Sequence, residues 1–343
     1  MSLNLDAQSF RDLLADPTAA EELSAVSGSP LVVVQAGAAL ADLDITLVPS
    51  VVVAVARDPL CLPVAGFQAA DIILTEDTFA SAPFVAPEEG VAEAIGRIAA
   101  VLAASPVAGA ALALPLRSST GLTVPAALIA ESATYSALQE GAEFRRWRSR
   151  HSPRPPETGD ERVVVEHADG ELRIVLSRPT RRNAVDWRMR DALVSALASA
   201  ARDPGRRVVL SGRGPDFCAG GDLDEFGSRP DPAIAHVTRL TRSPAMLAHM
   251  VAARTTAQLH GACIGAGIEL PAFAHRVVAA PGSRFGLPEV RLGLVPGAGG
   301  TVSLPRRIGR WRTAYLALAD HVLDVDEALR WGLIDAVAEG TAM

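Results

Sequence analysis

Basic charge, cysteine, aromatic side chains and long apolar runs are all scarce in this sequence, and each shortage removes a class of function. The 343 residues carry 32 Lys plus Arg against 39 Asp plus Glu, for a net charge of −7 and a pI near 5.6. That balance argues against a nucleic-acid surface, while leaving room for a local basic patch on a phosphorylated ligand. The three cysteines, Cys61, Cys218 and Cys263, lack metal-ligand spacing. An odd number, with no secretory pattern in the opening MSLNLDAQSF, fits a reducing compartment, so the expected location is cytoplasmic. Asp42, Asp44 and Pro49 interrupt the most apolar early region, and nothing approaches the ~20 residues of a membrane span. Aromatic residues make up 4%, which disfavours a ring-stacked pocket. There is no internal repeat, no low-complexity tract and no Walker loop, and GACIGAG at 261–267 lacks the spacing of a dinucleotide fingerprint.

What is present is the material of a packed core, with 49% hydrophobic and 21% charged residues. The proline-rich polar stretch RSRHSPRPPETGDE at 148–161 reads as a boundary. It gives an amino-terminal domain over 1–150, a linker over 151–160 and a second domain over 161–343. Before the linker, LVVV, SVVVAVA and DIILTE read as short buried strands, and 88–104 and 124–147 as helical runs. After it, RVVVEHADGELRIVLSRP reads as a hairpin turning on ADG, and Asp186 as the cap of the next helix. Strand, helix and glycine-rich loop then alternate, as in a layered α/β fold with function at strand-to-helix loops.

The stretch HGACIGAGIELPAFAHRVVAAPGSRFGLPEVRLGLVPGAGGT, 260–301, sets Glu269 and Glu289 among small and apolar neighbours. A buried carboxylate is costly unless hydrogen-bonded or protonated, so the two are candidates for chemistry. The plainer alternatives are that Glu269 caps nearby amides and that Glu289 is a turn carboxylate. Pro271 confines the helix start to 266–269, where amide N–H groups are free. The loop FCAGGDLDEF offers further amides at Ala219, Gly220 and Gly221. Two converging N–H groups stabilise a carbonyl oxygen that becomes an oxyanion, although each loop alone is equally a tight turn.

Six segments, in order, resemble the enoyl-CoA hydratase/isomerase (crotonase) family: LSRPTRRNAV, GRGPDFCAGGDLDEF, QLHGACIGAGIEL, SRFGLPEVRLGLVPGAGGT, LPRRIGRWRTAYLAL and DEALRWGLIDAV. The resemblance implies a crotonase-like spiral of β-β-α units and assembly as a homotrimer or dimer of trimers. It implies a coenzyme A thioester as substrate, with no metal or redox cofactor. By position, the amides that bind the thioester carbonyl belong to Gly221 and Ala266. Ala219, Gly220, Asp222, Leu223, Asp224 and Gly265 line the thioester and pantetheine path. Glu269 and Glu289 match the two glutamates that hold a water against the enoyl double bond. An isomerase, or a non-catalytic acyl-CoA-binding scaffold, is the alternative.

Some positions depart from the family pattern. Asp224 stands where lysine is common, and Arg181 and Arg182 are the candidates to compensate toward the CoA phosphates. His260, His275, Cys218 and Cys263 read as structural, and Met246 and Met250 as acyl-pocket lining or core. Family members continue past the matching segment into helices that cover the acyl pocket. Residues 88–150 resemble those helices, which suggests a displaced cover. Residues 1–80 then read as a reduced, degenerate crotonase-like half, or as an unrelated interaction domain.

Overall fold

The computed structural model describes residues 2–338 apart from 62, 156, 158–160, 169, 229 and 230. The first half is built on a parallel sheet of β1 (Ser2–Leu5), β2 (Leu31–Gln35), β3 (Val51–Val55) and β4 (Ile72–Leu74), ordered as in the chain. Helices α1 (Ala7–Leu14) and α2 (Ala19–Glu22) follow β1. Strands β2 to β4 are apolar at nearly every position because both faces are covered. Val32, Val34, Val52, Ala54 and Ile73 join Phe10 and Leu23 in a small core. The alternate residues Leu31, Val33, Val51, Val53 and Ile72 join Ile98 and Leu102 in the main one. Strand β1 escaped the sequence reading: SLNL is short and half exposed.

Four helices follow: α3 (Val91–Ala104), α4 (Pro106–Ser118), α5 (Val124–Gln139) and α6 (Ala142–Arg148). Proline in the first turn of α4 and of α5 lacks a donor where none is needed. The single run expected over 124–147 breaks in two, because Gly141 takes an extended conformation and glycine is a poor helix former. No single helix among the described residues is long and apolar enough to cross a membrane.

The second half opens with the antiparallel hairpin β5 (Val163–Ala168) and β6 (Glu171–Leu176). Asp169 of the expected turn lies outside the described residues. Helix α7 (Trp187–Arg202) starts where expected, with the Asp186 carboxylate accepting from Met189 N at 2.8 Å. Then come β7 (Arg207–Gly212), α8 (Pro232–Thr241), α9 (Pro244–Val251), β8 (Thr255–Leu259), β9 (Ala262–Ile264) and α10 (Ala266–Glu269). The chain continues through β10 (Arg276–Ala279), β11 (Arg284–Gly286), α11 (Gly300–Ile308) and α12 (Arg310–Leu318). It ends with β12 (Val322–Leu323), α13 (Val325–Trp331) and β13 (Ala336–Val337).

A six-stranded sheet runs β13-β10-β8-β7-β6-β5, beside a three-stranded sheet β12-β11-β9. Strands β8, β9, β10 and β11 alternate between the two, so the chain winds as a spiral of strand pairs and helices. The connecting segment is tied down: His151 and Arg154 hold Asp224 at 2.8 and 2.9 Å, and Glu157 holds Arg178 at 2.8 Å.

Candidate active site

Two loops meet at the heart of the second half. Cys218 and Cys263 form a parallel bridge, which brings 218–221 alongside the end of β9. Gly265 then adopts a positive φ of 52°, and a side chain there would drive its Cβ into Glu289 Oε1. Only glycine meets both demands at this position. Beyond the turn Ala266 opens α10, within the range Pro271 allowed. The N–H groups of Gly221 and Ala266 donate to no other described group. Both residues lie on the wall of one cavity of about 590 Å³.

Glu269 and Glu289 line the same cavity. Glu269 is held at the end of α10, and its Oε2 accepts from Ala298 N at 2.8 Å and Gly300 N at 2.9 Å. The capping alternative is therefore realised for one of its oxygens. Glu289 follows Pro288 in a 3₁₀ turn, with its carboxylate packed against Gly265. Its Oε2 is buried without a hydrogen-bond partner among the described residues. A buried acceptor left unpaired costs about 1–3 kcal/mol, so an oxygen in this state favours a proton or a hydrogen-bonding ligand.

A third carboxylate, absent from the sequence reading, completes the group. Glu131 projects from α5, and its Oε1 accepts from Gly299 N at 2.7 Å. Its Oε2 accepts from Thr301 N at 2.9 Å and Thr301 Oγ1 at 2.7 Å. Along 298–301 successive amides thus go alternately to Glu269 and Glu131. Tyr135, one helical turn on, lies against Gly297. Helix α5 therefore covers the 295–301 face. One sequence signal pointed to Glu131: it stands in the apolar stretch ALIAESATY with no basic residue three or four places away.

Burial raises all three carboxyls. Glu131 is pushed up to about 7, chiefly by desolvation. Glu289 is pushed up to about 7 by desolvation and by the charge of Glu131. Glu269 is held well above the usual range by desolvation and by the charges of Glu289 and Glu131. Three acids in one enclosed volume cannot all ionise near neutrality, so they share protons. The thiols take no part: burial pushes Cys218 up to about 12 and Cys263 well above its ordinary value. Among the described residues no group of His, Cys, Asp and Glu side chains is placed to hold a metal ion.

The other expected residues divide. Asp222 and Asp224 line the cavity, with Asp222 neutralised by Arg178 at 2.7 Å. Ala219, Gly220, Leu223 and Gly265 are not on that wall, and Leu223 is exposed to solvent. Arg181 and Arg182 already face carboxylates, Asp224 at 3.5 Å and Asp216 at 2.6 Å, so a phosphate would compete with those pairs. Of the two roles open to Met246 and Met250, Met246 takes the core one, while Met250 takes neither and points to solvent because it lies on the outer side of α9.

A sequence profile of the enoyl-CoA hydratase/isomerase family matches residues 166–341. The chain belongs to this family. It is 34% identical over 178 residues to the 2,3-dehydroadipyl-CoA hydratase of Escherichia coli K12, covering 51% of this chain and 68% of that one. It is 33% identical over 186 residues to the 1,2-epoxyphenylacetyl-CoA isomerase of the same organism, covering 51% and 70%. The crystal structure of an enoyl-CoA hydratase from Thermoplasma volcanium GSS1 is 35% identical over 52% of this chain and 71% of that one, with a TM-score of 0.48. As a member of the enoyl-CoA hydratase/isomerase family the protein has the crotonase-like α/β fold and is a crotonase-type acyl-CoA enzyme. The shared region falls in the second half, so Glu131 comes from outside it.

Proposed function

We propose that the protein is an enoyl-CoA hydratase. The observation that carries this reading is the pairing of Glu269 and Glu289 on one cavity wall with the unengaged N–H groups of Gly221 and Ala266. The thioester carbonyl accepts from the two amides. As negative charge develops on that oxygen, both hydrogen bonds strengthen, and each such donor contributes roughly 10²–10³ in rate. Water held by the two carboxyls attacks Cβ and loses a proton to the ionised one. The resulting enolate collapses as the protonated carboxyl delivers a proton to Cα, so hydroxyl and hydrogen add across the double bond. Carboxyls with raised and mutually dependent pKa values suit this exchange at neutral pH. Glu269, anchored through Oε2, keeps its orientation, and Glu289 Oε2 is the buried acceptor that a water satisfies.

The same reading assigns residues 88–150 to the role of cover. Its support is the packing of α5 over 295–301 and the Glu131 contacts. The test is the loss of enoyl absorbance from a short 2-enoyl-CoA with wild type and Glu289→Gln. A hydratase turns over and the variant collapses. Movement of the double bond without water uptake assigns an isomerase. Thioester binding with no turnover in either protein assigns a scaffold.

A further inference from the structure

Three arginines reach the cavity wall from the α7, α8 and α9 side: Arg190, Arg239 and Arg242. Two of them are neutralised by one acid, since Asp191 takes Arg190 at 2.8 Å and Arg242 at 3.3 Å. Arg239 differs. No carboxylate lies within 4.0 Å of it among the described residues. Neutral groups hold its guanidinium instead. Nε donates to Ser132 Oγ at 3.2 Å, Nη2 donates to Ser132 O at 3.4 Å and to Ser136 Oγ, and Cζ sits 4.8 Å over the Tyr135 ring. Nη1 donates to no described group. The acid that shares this wall, Glu131, has both oxygens engaged by Gly299 and Thr301.

We propose that Arg239 is the anchor of a carboxylate-binding subsite in this cavity, and that the accepted acyl groups carry a second, anionic carboxylate. The inference rests on the acyl-CoA reading of the same cavity and names its substrate class. Glu131 acts on Arg239 through space without contact, and a half-buried guanidinium with no carboxylate against it is costly, a cost that a ligand carboxylate relieves. Nη1, the nitrogen left unengaged, offers a ligand carboxylate a charge-assisted donor, and α5 and the tyrosine ring fix its orientation before binding. A purely hydrocarbon chain gains nothing from such a group and leaves it desolvated.

The test compares saturated acyl-CoA thioesters of equal length that end in methyl or in carboxylate, over short to medium chains. Calorimetry gives the ratio of their affinities for wild type, Arg239→Gln and Arg239→Lys, with a thermal melt confirming that each variant is folded. Wild type is expected to favour the carboxylate form by roughly tenfold or more at one or more lengths. The Gln variant brings the ratio toward one, and the Lys variant keeps part of it. A wild-type ratio near one at every length, or a ratio that Gln leaves unaltered, overturns the subsite. Because these ligands do not react, a carboxylate preference without hydration of the matching 2-enoyl thioesters keeps the subsite and removes the hydratase reading. Hydration without the preference does the reverse.

Discussion

Replacing Glu131 with Gln is expected to change its effect on stability with pH. Burial raises the folded-state pKa of Glu131 from 4.5 to about 7. Between those values the folded protein holds a proton that the unfolded chain releases, so wild-type stability falls as pH rises through this window. The full displacement corresponds to about 3 kcal/mol. That is an upper bound, because the shift is shared with Glu269 and Glu289. Gln carries no such dependence. It does turn an NH2 group toward Gly299 N or Thr301 N, and the unmatched donors cost about 1–3 kcal/mol at every pH. The variant is therefore less stable than wild type at about pH 5 and draws level with it or passes it by about pH 8. Urea unfolding of both proteins over this range measures the difference. A gap that stays constant, or one that widens as pH rises, refutes the buried-acid account of Glu131.

Other outcomes follow from the same geometry. Glu289→Gln is expected to lower kcat for enoyl-CoA hydration by roughly 10²–10⁴, with a much smaller effect on KM, read from enoyl absorbance. The wild-type rate should fall in acid, below about 7, as Glu289 takes up a proton and can no longer accept one from water, and fall again in base as Glu269, held higher by burial and by its neighbours' charges, loses its own. Gly265→Ala should destabilise the site and cut activity, because its Cβ would lie 2.4 Å from Glu289 Oε1 at a positive φ; melting and turnover measure the two effects. Arg117→Leu should cost about 3–5 kcal/mol in unfolding free energy. Arg117 makes a buried two-point pair with Asp71 at 2.8 and 2.7 Å and also donates to Ile45 O, Val48 O and Ser50 O.

Glu269 and Glu289 stand out in the sequence as acids among small residues, whereas Gly221 and Ala266 are assigned through resemblance to the family. The alternation of buried strands and loops was readable too, since strand periodicity is a property of a few adjacent residues. Arg239 was not, and Glu131 carried only a weak signal, an acid in an apolar stretch with no basic residue one helical turn away. Their partners lie on distant segments, and the buried face of α5 itself carries Glu131, Ser132 and Ser136 while Ile129 is exposed, so no apolar stripe makes its polar residues stand out. Strand β1 was missed because an edge strand of four half-exposed residues carries little pattern. The interruption at Gly141 was open to inference from glycine alone, but a continuous apolar and polar alternation across it suggested one helix.

The bonds from Glu131 to Gly299 and Thr301 close gaps of 168 and 170 residues. During synthesis the roof of the cleft is thus made well before its floor. Contacts of such long range form late and slow the acquisition of structure. Until the 295–301 segment arrives, the inward side of α5 has nothing from that segment to seal it, and this interval is when the nascent chain is most open to association with others.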